Sequence, residues 1–306
     1  MRLGVKVTIF LVATMAVAGS AASQTRSVTV SSEPATKVFI DGVLYGKTNK
    51  DGRLEIKSVA VGGHTMVLRC DGFREKTQPL AATAHGEINV SLVKATDEAE
   101  LAFQEAERLT AEDRDKAIAA YQRAIKLRPN CPEAYVAMAR LQADALDVEG
   151  AKKSIQAARR LRPGYAEASA VEGRIHKDND EEALAIASFK RAITEGRGFQ
   201  PEAYAGLGLL YKEKAESFGG GGDFTNEDAN YVESIKYLKV SLKQLSGAPD
   251  SVVIYQLLGL IYERQKKYDD AIALYQEFLK LFPDLPESEA VRSFIIQIQK
   301  ERAQQP

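Results

Sequence analysis

The stretch AIAAYQRAIKLRP at residues 117–129 decides how most of this chain is read. Its Ala117, Tyr121 and Ala124 fall at helical spacing on one face, and Pro129 ends the run because proline cannot continue a helix. The same pattern returns 34 residues later at Ala151, Ile155, Ala158 and Pro163, and after another 34 at Ala185, Phe189 and Ala192. The register recurs at Ala271, Tyr275, Phe278 and Pro283. Such self-similarity marks a helical unit that stacks on copies of itself to complete its core.

Upstream of these segments lie partner segments with an aromatic, a large apolar and a small residue at fixed offsets. They are clearest in Tyr204, Leu207, Gly208 and Tyr211, and in Tyr255, Leu258, Gly259 and Tyr262. Looser copies are Tyr135, Met138, Ala139 and Gln142, and then Ser169, Glu172, Gly173 and His176. Together the two halves resemble the tetratricopeptide repeat. The resemblance implies an all-α solenoid over residues 98–302, with about five two-helix units and a capping helix from about Glu287 to Arg302. Small residues let the paired backbones approach, and the aromatic ring fills the gap to the next unit. The fourth unit carries 14 extra residues centred on Ser217 to Thr225, whose glycines predict a flexible loop. Thr225 with Asp228 reads as a helix-capping box. Asn226, Asp228 and Asn230 match only the first half of a calcium loop.

Residues 27–94 have a different period. Met66, Leu68 and Cys70 alternate onto one face, as do Ile88, Val90 and Leu92, and Asp41-Gly42, Asp51-Gly52 and Asp71-Gly72 punctuate the runs. Asp-Gly between extended runs is a hairpin signal, because glycine takes positive φ without steric cost. Five to seven short strands in a small antiparallel sandwich or barrel follow. Ser32-Glu33-Pro34-Ala35, Lys37 to Gly42, Gly46-Lys47-Thr48, Gly63-His64 and Asp71-Gly72-Phe73 resemble the PEGA domain of envelope proteins. That family is commonly proposed to contact polysaccharide or cell-wall components. The chain is thus expected to be an α+β multidomain protein, a PEGA-like β-sandwich followed by the solenoid.

Residues 1–23 read as a signal peptide: Arg2 and Lys6, an uncharged run from Val7 to Gly19, then small residues. Export to the periplasm or cell surface is expected, with no permanent membrane span after cleavage. Over the whole chain, 41 Lys and Arg face 42 Asp and Glu, a formal charge of −1. That balance supplies no field for a nucleic-acid backbone. Two cysteines and three histidines make a poor metal inventory. Neither a nucleophile elbow nor a nucleotide loop is present, so neither catalysis nor a cofactor is expected. Asp41 reads as a turn residue and His64 as the residue opening a strand.

The position one residue after the small residue of each first helix lies roughly 150° from the packing face at 100° per residue. It is held by Arg140, Arg174, Leu209 and Leu260. In the repeat family this side lines a concave groove where peptides dock. Arg140 and Arg174, with Lys177 and Lys212, are therefore expected to hold an acidic or C-terminal segment of a protein partner, and Leu209 and Leu260 an apolar one. The expected function is a non-enzymatic envelope adaptor. The alternative is a polysaccharide-binding surface protein whose repeats act as spacers.

Overall fold

The computed structural model describes residues 25–304, so the expected signal peptide lies outside the described residues. Seven strands come first: β1 (Thr25–Ser31), β2 (Lys37–Ile40), β3 (Val43–Lys47), β4 (Arg53–Ala60), β5 (His64–Arg69), β6 (Lys76–Leu80) and β7 (Gly86–Asn89). They form two sheets, ordered β4-β1-β7 and β3-β2-β5-β6. The Asp41-Gly42 turn between β2 and β3 has φ of 49° and 83°, the doubly left-handed geometry of a type I′ hairpin. Val28, Val30, Val38, Ile40, Met66, Leu68 and Leu80 alternate inward and fill the space between the sheets. The sandwich is not wholly antiparallel: β7 runs parallel to β1, pairing Val28 with Gly86 through Ser31 with Asn89. The crossover through the other sheet returns the chain in the same direction, which the short turns of the sequence do not reveal.

Eleven helices follow among the described residues. They are α1 (Glu98–Leu109), α2 (Arg114–Leu127), α3 (Pro132–Asp144), α4 (Val148–Leu161), α5 (Ala166–Asp178) and α6 (Glu182–Glu195), then α7 (Pro201–Gly220), α8 (Phe224–Leu245), α9 (Ser251–Arg264), α10 (Tyr268–Leu281) and α11 (Glu287–Ala303). Their starts follow local chemistry. Asp97, Asp113 and Asp147 accept backbone N–H bonds from the first turns of α1, α2 and α4. Pro132 and Pro201 open α3 and α7, where a missing N–H costs nothing. The helices pair as five antiparallel hairpins, with α11 covering the last. The repeat positions do the packing. Ala117, Ala151, Ala185 and Ala271 are fully buried, and the ring of Phe189 lies against both Gly173 of α5 and Gly206 of α7.

The fourth hairpin corrects the expectation of a flexible loop. Its extra residues lengthen both helices, to 20 residues in α7 and 22 in α8, leaving only Gly221 to Asp223 as a turn. The cap of α8 is Asp223, bonded to the Asn226 N–H, rather than Thr225. Glycine serves close packing here. A Cβ on Gly219 would stand 2.6 Å from the Glu227 carboxyl carbon, and Glu227 is 5% exposed and bonded through Oε1 to Arg264 at 2.9 and 3.1 Å.

Candidate functional site

The first helices of successive hairpins line the inner, concave side of the solenoid, and ion pairs tie them to one another. Arg140 on α3 donates two bonds of 2.6 Å to the two carboxylate oxygens of Glu202 on α7, and a longer one of 3.4 Å to Glu167 on α5. A fork spanning two repeats requires a tightly curved inner face. Burial alone would lower the Arg140 pKa, but Glu202 and then Glu167 outweigh it and hold the guanidinium charged well above its ordinary value. Arg174 pairs with Asp144 at 3.3 Å and also donates to the Arg140 carbonyl. Lys177 bridges Glu213 and Asp178, each at 3.2 Å, and Lys212 holds Glu216 at 2.7 Å. The four cations expected to receive an acidic ligand therefore all have carboxylate partners within the chain. Leu209 is half-buried, whereas Leu260 is 58% exposed.

Two cavities lie along this face. One of about 570 Å³ is bounded by Lys212, Glu216, Gly219, Leu260 and Arg264, between the extension of α7 and the end of α9. It brings together Lys212 and Leu260 from the sequence-derived set, with the buried Glu227 and its exposed partner Arg264 beside it. The other, of about 650 Å³, contains Arg140 with Tyr165, Glu167, Glu202 and Ile254, and its opposite wall is Phe39 and the residues 41–44 of the β domain. Neither cavity is lined by Arg174, Lys177 or Leu209.

The β domain thus sits against the concave face, which the sequence reading does not anticipate. Lys37 and Arg69, on the outer side of β2 and β5, pair with Glu107 of α1 at 3.2 and 3.0 Å. The Arg69 guanidinium also lies over the rings of Phe39 and Phe103, 5.1 and 6.0 Å from their centres. At the far end Val43 is only 7% exposed, yet it packs with Leu245, Ile254 and other residues of the last repeats instead of the sandwich core. Tyr45 bridges both cores, and burial pushes its hydroxyl up to about 12. The legible signal is the unbroken apolar run Val43-Leu44-Tyr45, a strand covered on both faces. His64, for its part, is structural. Its Nδ1 lies 2.6 Å from Asp41 and its Nε2 2.8 Å from the Ala60 carbonyl, while Asp41 accepts the Thr65 N–H at 2.8 Å.

Tetratricopeptide-repeat family models match residues 108–131, 136–203 and 252–285, which reach every hairpin but include only the first three residues of the fourth. The solenoid is built of tetratricopeptide repeats. No curated protein matches the chain in sequence. Among solved structures, yeast Tom70 superposes with a TM-score of 0.53 at 17% identity, over 68% of this chain and 41% of that one. The MamA protein covers 62% of this chain and 94% of its own, at 23% identity and a TM-score of 0.41. A thermophilic TPR protein of Thermus thermophilus aligns at 19% identity and a TM-score of 0.46, over 66% of this chain and 98% of that one. The superposition on Tom70 is a likeness of the fold alone. Tetratricopeptide repeats serve in general as non-catalytic scaffolds for protein–protein contact, and among the described residues no helix is long and apolar enough to cross a membrane.

Proposed function

We propose that this protein is a non-enzymatic scaffold that binds a polypeptide partner on the concave face of its tetratricopeptide repeats. The observation that carries the reading is the cavity beside Leu260. A leucine 58% exposed on an inner helix face, rimmed by Lys212, Glu216 and Arg264, offers an apolar anchor point with charges at its edge. Leu209 and Lys177 extend the same face toward the second cavity. The cations hold carboxylates of their own, so Leu260 supplies affinity, and the charges select by exchanging partners at the rim. The export signal read at residues 1–23 and the PEGA-like motifs of residues 27–94 support a place in the cell envelope for this scaffold.

A photo-crosslinking amino acid at Leu260, compared with one at the exposed Lys190 of α6, tests the reading in the protein's own host. A discrete adduct at position 260 that is absent at position 190 is expected. Adducts of equal yield at both positions, or none at either, refute the groove as the binding face.

A further inference from the structure

The contact between the β domain and the repeats has two ends of different strength. At α1 it is specific and polar. The Gln104 side chain accepts the Gly72 N–H at 2.8 Å and donates to the Phe73 carbonyl at 2.7 Å. Glu100 accepts the Glu75 N–H at 2.9 Å, and Glu107 holds Lys37 and Arg69. The connecting segment is zipped to the same corner by the Arg74 N–H on the Val93 carbonyl and the Ala95 N–H on the Gly72 carbonyl. These polar links tether one corner of the β domain to α1 and can serve as its pivot.

The other end differs in kind. Val43 and Tyr45 rest on Leu245, Ile254 and their neighbours, and the Ser58 and Ser246 hydroxyls meet at 3.5 Å. Beside them the 650 Å³ cavity leaves the contact incompletely filled. Val43 contributes nothing to the sandwich core, and Val38, Ile40 and Tyr45 keep their contacts with that core when the β domain moves as a unit. The tip is also preorganised. Its type I′ turn is braced by the Asp41 carboxylate, which holds both His64 and the Thr65 N–H, so little conformational entropy is lost when it docks.

We propose that the β2–β3 hairpin is an internal ligand of the repeat groove, and that the β domain swings on α1 to uncover it. The partner that takes its place presents an aliphatic and an aromatic side chain two residues apart on an extended strand, as Val43 and Tyr45 do. Binding then requires displacement of the hairpin, and the closed form is the self-inhibited one. This goes beyond the cavity at Leu260, which stays open in either position.

The test uses the full chain and, as probe, a synthetic hairpin of residues 37–47 closed head to tail by a peptide bond. Ser58→Cys with Ser246→Cys, in a Cys131→Ser background, locks the far contact when oxidised, because the two side chains already face each other with their hydroxyls 3.5 Å apart. Val43→Asp opens the contact, and Val43→Ala is a milder version should the aspartate impair folding. The probe is expected to bind Val43→Asp at least tenfold more tightly than the unsubstituted chain, and not to bind the oxidised lock until it is reduced. Hydrogen exchange of Val43→Asp is expected to speed up in residues 41–47 and 245–251, with 70–75 and 98–109 still protected. Equal probe affinity for the oxidised and reduced lock overturns the internal-ligand assignment. Exchange that quickens equally at α1, or nowhere, overturns the swing.

Discussion

Reversing the charge of Arg140 separates a ligand-binding arginine from a structural one. In the structure its guanidinium makes two 2.6 Å bonds to Glu202, and the side chains are 29% and 32% exposed. Breaking a fully buried pair costs about 3–5 kcal/mol. One that keeps nearly a third of its surface in water should lose roughly 2–4 kcal/mol by the same reasoning. Arg140→Glu adds a carboxylate facing Glu202 and Glu167, and like charges about 4 Å apart at an effective dielectric of about 20 repel by roughly 4 kcal/mol before side chains swing apart. A net loss of about 3–5 kcal/mol is therefore expected, read as a lower urea midpoint by far-ultraviolet circular dichroism. Adding Glu202→Arg to Arg140→Glu restores the pair with reversed sense and should recover at least half of the loss, a coupling that additive effects cannot produce. If Arg140→Glu alone unfolds within about 0.5 kcal/mol of the unsubstituted protein, the span-two-repeats pair contributes nothing to stability and the arginine is free for a ligand.

Three further outcomes follow from local geometry. A methyl group added by Gly206→Ala would stand 2.3 Å from Phe189 Cζ, so the gain of about 1 kcal/mol in helix propensity is outweighed by overpacking of about 1–3 kcal/mol; a second change, Phe189→Leu, should soften that cost in a double-mutant cycle. Leu146 is 86% exposed at a φ of 61°, a conformation that penalises any Cβ, so Leu146→Gly should leave thermal stability unchanged or raise it by up to about 1 kcal/mol. Burial pushes the hydroxyls of Tyr45 and Tyr121 from 10.0 up to about 12. The folded state then holds protons that the unfolded state releases, so this contribution is present below pH 10, is lost as the pH rises toward 12, and appears as delayed tyrosinate absorbance in a titration.

The repeat architecture is legible because each helix declares its buried face within a dozen residues. Ala117, Tyr121 and Ala124 carry the same information locally that they carry in the packed solenoid. Strand boundaries set by Asp-Gly turns are local in the same sense, and Asp41-Gly42 takes the turn that its residues demand. Two features depend on residues far apart in sequence. The glycines near 220 read as a loop because nothing nearby announces Glu227, whose carboxylate needs the space beside Gly219 and the Arg264 guanidinium from the next hairpin. Likewise β7 joins β1 in parallel because of the path through the other sheet, which no dipeptide encodes.

The docking of the two domains was hidden for a deeper reason. Lys37, Phe39 and Arg69 occupy the outward positions of alternating strands, and a charged outward position ordinarily means solvent. What meets them is Glu107, on a helix of the least typical repeat, together with Phe103. Arg140 and Glu202 show the same ambiguity. Each reads as a solvated charge on its own helix, and only the curvature of the stack brings the Arg140 guanidinium of α3 within 2.6 Å of the Glu202 carboxylate of α7. A helical-wheel position therefore tells which way a side chain points, but superhelical curvature decides whether it meets water, a partner or the chain itself. In this protein the inner face of the early repeats meets the chain's own charges and its own β domain. The open apolar contact is displaced toward Leu260, so a partner must either begin there or compete with Val43 and Tyr45 for the rest.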